Sequence, residues 1–577
     1  MKRITILTAA GALACLAAVP AVTSQAATLT PAATAGATFG GTVSQASRLA
    51  ASPSGVAGFK PVAPSPAIEN ANTPRALTSV RSPGGPDPAA RATGAGAAAV
   101  SAATAAKTRT SVTNSFDGLN DLINDQLYGA LTPPDQGLCV GPDHTIKGSP
   151  DAVWEIVNSV AQETTKSGAV LTAPLNSPTL FQDPNAFSDP RCLFDPSTQS
   201  FYFTEIGFPA SGPNSTLTNT VNDVLVINSR GAATYQFDSS LGGNCLGDQP
   251  KVGFDNNAVV ISTDEYCGPT QSNYEGAIVQ VISKSQLVNE ATTVNWAESS
   301  PVSLAGDPVV GLDPAINTGT STGYLVNSVP FNADGSNDAV GTTLGLWTVA
   351  NTEAVTTGNG TPTLASKVLR SEPYAFPVLA PSSGDGSTTT FNGTTITSET
   401  ALNPDDSRIA EPVNVTAGPF GSVNLWTALS AAVNPSGGTA TKDGAAWFEI
   451  NTLFGSVVRQ GFVAAGGGAS LLYPAVYAGR NGTATMVYTI TSPTLNPSAA
   501  FSVLGRPGIE IVGQGSGPHW SFADAPPFNS PRWGDYSWAG PDPESGDIWM
   551  ATEYIPPTSE WDGFDNWGTY IFAVNAK

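Results

Sequence analysis

From about residue 130 onward, apolar residues fall in short runs and alternations, and helical spacing is weak. Phe201-Tyr-Phe-Thr-Glu205, Val259 through Glu265, Tyr324-Leu-Val-Asn-Ser328, Val423-Asn-Leu-Trp426, Ala484-Thr-Met-Val-Tyr488 and Ile548-Trp-Met-Ala-Thr-Glu553 are typical. Each is bounded by Gly, Pro, Asp, Asn or Ser. Period-2 patterning between turn residues predicts many short strands.

The strands come in repeats. A unit opens on a carboxylate or aromatic, passes a Pro or small residue and an apolar stretch, then often reaches a second Asp before a turn and another apolar run. The openings are Asp135, Asp189, Asp248, Asp307, Glu411, Tyr473 and Asp535, with start-to-start spacings of 54, 59, 59, 104, 62 and 62 residues. The long spacing contains a Gly/Ser/Thr-rich stretch from Ser382 to Thr397, expected to be an inserted loop. Sandwich domains recur at roughly 100 residues and β-helix coils at roughly 20–30. A unit near 60 fits a four-stranded blade with generous loops. The expected fold is therefore all-β, a single β-propeller over 113–577, with seven blades and six or eight as alternatives. The final apolar run, Gly568 to Val574, or residues near Ser115 to Asn124, should close the ring and remove an exposed edge.

The start of the chain reads differently. Lys2 and Arg3 precede an apolar run from Ile4 to Val22, and Ser24-Gln25-Ala26 is a small-x-small cleavage site, so residues 1–26 are expected to be a signal peptide. Residues 27–112 are rich in Ala, Pro, Ser, Thr and Gly and nearly lack aromatics. They are expected to be a disordered tether or a pro-segment. A secreted, extracellular, monomeric product with no later membrane span follows. Past Cys15, four cysteines remain, and an even count in an exported chain favours two disulfides. Cys245 and Cys267 bracket a hairpin and should pair. Cys139 and Cys192 hold near-equivalent places in neighbouring units and form the second expected pair.

Of 577 residues, 24 are Lys or Arg and 46 Asp or Glu, a formal net charge of −22. So acidic a chain does not bind nucleic acid through its phosphates, and an anionic membrane surface is disfavoured as well. Only two histidines, His144 and His519, are present. That excludes His-rich metal centres and argues against a Ser-His-Asp system.

The Pro-x-hydrophobic-x-hydrophobic-Asp pattern, followed by a turn and an aromatic strand, resembles NHL-type and sialidase-like propellers. Arg532-Trp-Gly-Asp-Tyr-Ser537, with Pro133-Pro-Asp-Gln-Gly137 and Gly141-Pro-Asp-His144, resembles segments of uncharacterised secreted bacterial propeller proteins. The resemblance spans about 130–577. It implies fold and export but no activity. The Ser-x-Asp-x-Gly-x-Thr-Trp box of true sialidases is absent.

If the Pro-containing run is the innermost strand, as in NHL-like propellers, the opening residues converge on one mouth of the channel. Three chemistries then compete with a plain turn-forming role for the acids. A hard cation such as Ca²⁺ binds oxygen ligands. Arg191, Arg408 and Arg532 lie in or next to the same motifs and can pair with them. Two carboxyls can also act as acid and partner in glycoside hydrolysis, with Asp189, Asp535 and Glu411 as the catalytic candidates. Asp135, Asp248, Asp307 and Tyr473, with the three arginines, are then ligand-binding candidates. A second series, Asp143, Asp195, Asp255 and Asp313, reads as Asx turns. Aromatics crowd the last unit, mostly for packing. Trp561 and Trp567 sit in a polar loop and are the surface candidates for stacking on sugar. The expected function is binding of a glycan or protein at the channel mouth. The alternatives are a carbohydrate-active enzyme and a structural envelope component.

Overall fold

A computed structural model describes residues 35–52, 55–56, 111–129, 131–143, 149–208, 219–268, 271, 273–329, 340–384, 388–391, 394–397, 401–409, 411–433, 442–479, 482–521, 532–557 and 565–575. The signal segment, His144 and Trp561 lie outside these.

The chain is a β-propeller. Antiparallel pairings among the described residues group the strands in fours, and the innermost strands are Gln136–Asp143, Ala186–Asp195, Cys245–Phe254, Asp313–Ile316, Val413–Ala417, Ser470–Ala478 and Trp538–Pro541. We number the blades one to seven in that order. Each innermost strand packs beside the next, and the strand of blade seven returns to that of blade one. Strands such as Ser200–Phe208 and Ala258–Cys267 are buried along their whole length. Both faces of such a strand meet neighbouring blades, so the sequence shows apolar runs where a half-exposed sheet would alternate.

The core lies between blades. Trp154, Ile156, Phe201 and Phe203 join blades one and two. Trp426, Tyr488 and Met486 join five and six, and Phe501, Met550 and Phe572 join six and seven. The ring closes as the sequence suggested: Val112–Asn120 is the outermost strand of blade seven and pairs with the C-terminal strand Gly568–Val574.

Several inner strands begin with a bulge. The register slips between Ser188 and Arg191, Asp248 and Lys251, and Leu472 and Ala475. In each slip a residue before proline has positive φ: Asp189 at 55°, Gln249 at 48° and Tyr473 at 48°. The extra residue turns the chain and re-aims the side chains that follow.

Three expectations are corrected by this register. Gln249, not Asp248, is the counterpart of Asp189. Asp307 is not on the rim. It sits across from Leu304 in a small hairpin turned by Ala305 and Gly306, both at positive φ, and the inner strand of blade four begins at Asp313. Asp313 in turn leaves the Asx series, where Asn317 takes its place: its Oδ1 accepts the Gly319 N–H at 3.0 Å. Asp195 and Asp255 accept in the same way from Ser197 and Asn257, at 2.8 and 2.7 Å.

The stretch expected to be a structureless tether contains a strand, Ala35–Ser52. It pairs with the outermost strands of blades two, three and four, at Tyr235 to Gly231, at Thr293 to Ser299 and at Leu364. An unpaired outer edge offers backbone groups to any segment of sufficient length, and low hydrophobicity is no bar to that pairing. The inserted segment of blade four holds a hairpin, Thr388–Phe391 with Thr394–Thr397. Both expected disulfides form. Cys245 and Cys267 are direct cross-strand partners with Cα atoms 4.0 Å apart, and Cys139–Cys192 links inner strands one and two at 5.4 Å. No helix among the described residues is long and apolar enough to cross a membrane.

Candidate functional site

The two ends of the channel differ. At the end where the inner strands start, Glu411, Tyr473, Asp535 and Arg408 do come together, with Gln249, Asp405 and Asp406, around a space of only about 10 Å³. That is room for about one water molecule. Arg408 pairs with Asp405 at 2.6 Å and Asp406 at 2.8 Å, and Arg532 pairs with Asp535. Asp189 accepts the Gln249 N–H at 3.2 Å and the Ser188 hydroxyl at 2.9 Å. Asp135, Asp189, Asp248, Glu411 and Asp535 are all buried.

Arg191, the residue after the blade-two bulge, points to the axis. Its guanidinium carbon lies 3.3 Å from the Tyr536 ring centroid, and the Tyr536 hydroxyl donates to the Pro190 carbonyl at 2.9 Å. Lys251, after the blade-three bulge, faces Asp264 at 3.7 Å. Burial raises the Asp313 carboxyl to about 7, against the pull of Arg191 and Lys251. It raises Asp406 to about 6, against Arg408. Burial, then the nearby Asp565 and Asp135, pushes Glu553 up as well. Like charges crowded in a dry site favour protonation and arginine pairing. Among the described residues no three carboxylate, His or Cys side chains are grouped to hold a metal ion. The acids of this end form a packed polar plug.

The other end is open. Where the inner strands finish, a cavity of about 560 Å³ is lined by Trp426, Trp538, Trp549, Tyr477, Asn414, Glu449 and Arg459. The Asn414 amide nitrogen donates to the carbonyls of Pro412, Val476 and Ala539 at 3.2, 2.8 and 3.2 Å, tying blades five, six and seven at the axis. Its Oδ1, buried, accepts from no described donor. On the wall, Glu449 takes the Asn424 amide at 2.6 Å and pairs with the Nε of Arg459. The Arg459 guanidinium lies 5.0 Å from the Trp426 ring centroid, and the Trp426 indole N–H donates to Thr416 at 3.0 Å.

The rim beside this wall is built from two turns of blade five. Phe420 lies between the cavity-lining residues Ala417 and Asn424 and is 91% exposed, with φ of 56°. The second turn carries Leu453 and Phe454. Asn451 bridges the turns, donating to Ser422 at 3.1 Å and to Asn424 at 2.6 Å.

Thus the opening residues do not line an open pocket, and the cavity is lined by residues that the opening motif does not mark. Trp426 belongs to the apolar strand run Val423 to Trp426, which carries no mark of a site. The available signal was the pair of motifs Pro419-Phe420-Gly421 and Leu453-Phe454-Gly455, each placing a bulky apolar side chain in a turn. Trp567, expected at the surface, is fully buried. Its indole N–H donates to the Leu131 carbonyl at 3.1 Å. The other described aromatics of the last blade pack as expected: Trp549 against Phe116, and Tyr554 edge-on to Tyr570.

No protein-family model and no curated protein matches the chain. Solved structures overlap it at low identity. The polysaccharide lyase Uly1 is 9% identical over 81% of this chain and 98% of its own, with a TM-score of 0.35. The Hadza microbial sialidase Hz136 is 10% identical over 73% of both chains, at 0.33. Drosophila Semaphorin 1b, extracellular domains 1-2, is 7% identical over 81% and 87%, also at 0.33. Overlaps of this depth carry no inference about ligand or activity.

Proposed function

We propose that the chain is a secreted or cell-surface propeller that binds a glycan in the cavity where its innermost strands end, with residues 1–26 directing export and 27–112 preceding the ring. The observation that carries this reading is the cavity of about 560 Å³ itself, whose lining sets the exposed Arg459 and its partner Glu449 beside Tyr477 and the apolar residues Leu138, Val140 and Ile316. A sugar supplies hydroxyls for the charged pair on the wall and a C–H face for the apolar and aromatic lining. A glycosidase acting through Asp189, Glu411 and Asp535 requires a sugar ring among side chains that are buried and, for Asp535, held by Arg532, so binding is the reading we adopt over turnover.

The test is a glycan panel on purified protein, by calorimetry, with Gly540→Leu as the blocking variant. Gly540 lines the cavity, and a Cβ built there meets nothing closer than the Trp538 ring nitrogen at 3.8 Å, so a leucine can project there and narrow the cavity without a backbone clash. Binding lost in Gly540→Leu at unchanged thermal stability supports the site. Binding retained in that variant, or product formed from a bound oligosaccharide and lost in Asp535→Asn, overturns it.

A further inference from the structure

The strand Ala35–Ser52 lies outside the seven blades, which close without it through Val112–Asn120 and Gly568–Val574. It follows three outer edges in turn. Ala35 and Gly36 pair with blade four at Leu364 and Thr363, Ala37 to Ser44 with blade three at Ser299 to Thr293, and Gln45 to Ala50 with blade two at Tyr235 to Gly231. The crossing from blade three to blade two falls at Gln45, which pairs with Tyr235 while its N–H donates to the Thr292 carbonyl at 3.0 Å. Register slips at Phe39/Gly41 and Gln45/Ser47 bend the segment so that it tracks one edge after the other.

The edges beneath this strand differ from the rest of the ring. Gly231 to Tyr235 of blade two are all buried, as are Val294, Trp296 and Ala297 of blade three. The outermost strand of blade one, Val170–Asn176, has no buried residue, and in that of blade five, Ser456–Val463, only Gly461 is buried. An outer strand with no neighbour presents a row of unpaired N–H and C=O groups, and an extended segment completes it by backbone pairing. The outer edges of blades two and three are therefore a strand-acceptor site. Residues 57–110 connect the segment to the ring. A chain of that length spans up to about 180 Å, against a radius of gyration of about 23 Å for a compact domain of the ring's size. The same pairing forms whichever copy donates the segment, and the connection is long enough to reach a neighbour.

We infer that copies of this chain exchange the segment: residues 35–52 of one copy occupy the outer edges of blades two to four of a second, which returns its own, a reciprocal contact about a two-fold axis. The surface fits a second copy of the chain, and it is independent of the cavity. Tethering holds the segment at an effective concentration on the order of millimolar around its own ring. Exchange therefore grows with protein concentration, and dilute protein is monomeric.

The experiment traps the exchanged pairing. Ser44 and Thr293 stand opposite each other on the blade-three edge, and both are exposed. Opposed residues of an antiparallel pair have Cα atoms about 4.5–5.5 Å apart, within disulfide reach. The described cysteines are already paired. Intact chains carrying Ser44→Cys alone are mixed with intact chains carrying Thr293→Cys alone, at up to about 1 mM to match the tethered segment. The mixture is oxidised and its linked peptides are identified by mass spectrometry. An interchain link between positions 44 and 293 should appear, with a yield that rises with concentration. The chain carrying both substitutions should close internally when dilute. Ser44→Cys mixed with Val170→Cys, exposed on the outer strand of blade one, should link at least tenfold less. No interchain link in the first mixture, while the doubly substituted chain closes internally, overturns exchange and leaves the segment on its own ring. Equal linking to Val170→Cys reduces the interchain product to random collision and overturns it as well. A doubly substituted chain that forms no 44–293 link of either kind removes the acceptor edge itself. None of these outcomes bears on the glycan reading.

Discussion

Glu155, in the second strand of blade one, accepts the backbone N–H of Leu119 at 2.7 Å through Oε2. Leu119 belongs to the strand that closes blade seven, so this carboxyl joins the two ends of the ring. Its Oε1 lies in hydrogen-bond contact with the Thr569 hydroxyl, which is also 3.0 Å from the Leu119 carbonyl. Thr569 has a single hydroxyl hydrogen. If Glu155 carries a proton on Oε1, that proton goes to Thr569, the threonine donates to Leu119, and every group is satisfied. Burial favours the same state and raises the Glu155 pKa from 4.5 to about 7, against the lowering effect of its hydrogen bonds.

The pH dependence follows. The folded pKa lies above the unfolded one, so the contribution to stability is complete below about 4.5 and is lost as pH rises through 7. Glu163, Glu298 and Asp313 are also raised to about 7 and act with the same sign. The melting temperature should fall between pH 5 and pH 8. Glu155→Gln, which copies the protonated form, should melt above the parent at pH 8 and reduce the difference between the two pH values. A parent that melts higher at pH 8 than at pH 5 contradicts this assignment.

The two disulfides should differ in worth. Constraint of the unfolded chain grows with the enclosed loop. Cys139–Cys192 has a sequence separation of 53 and Cys245–Cys267 one of 22. Loop entropy assigns roughly 4 and 3 kcal/mol respectively. Cys139→Ala/Cys192→Ala should therefore shift the denaturant midpoint more than Cys245→Ala/Cys267→Ala. The opposite order would show that packing at blade three outweighs loop closure.

Trp567 tests burial against ligand contact. Its ring is wholly buried with Leu119, Val157 and Val160 beside the ring closure. Trp567→Ala should cost about 3–5 kcal/mol, the usual range for removing a core aromatic. The fraction that remains folded should bind glycan with parental affinity. A variant with normal stability and weakened binding would restore the residue to the surface role that its polar loop suggested.

What the sequence made legible was periodic: strand runs, unit spacing, the hairpin disulfide and the closing strand. Each depends on local patterning. The candidate site depended on register, and there a single residue mattered. Asp248 and Asp189 look equivalent as text, yet the bulge makes Gln249 the true counterpart. Asp307-Pro mimics the opening motif but is spent in a hairpin ahead of blade four. The polar plug and the open cavity lie at opposite ends of the same strands, and the pattern of acids marks only the first. Trp426, Glu449 and Arg459 meet across three strands of one blade, a juxtaposition with no fixed spacing in the chain. Phe420 is visible as an aromatic in a Pro-Gly turn, but its left-handed backbone and exposure are not.

Phe420 also sets backbone strain against packing. A non-glycine residue in the left-handed region costs roughly 1–2 kcal/mol, and Phe420, 91% exposed, recovers almost none of it by packing. Asparagine tolerates this backbone better, because its short side chain bonds locally. It also avoids the additional chain entropy that glycine brings to the unfolded state. Phe420→Asn should therefore leave stability unchanged or raise it by up to about 1 kcal/mol, read as a shift in the urea midpoint. A fall in stability would mean that Phe420 is held by contacts within the protein.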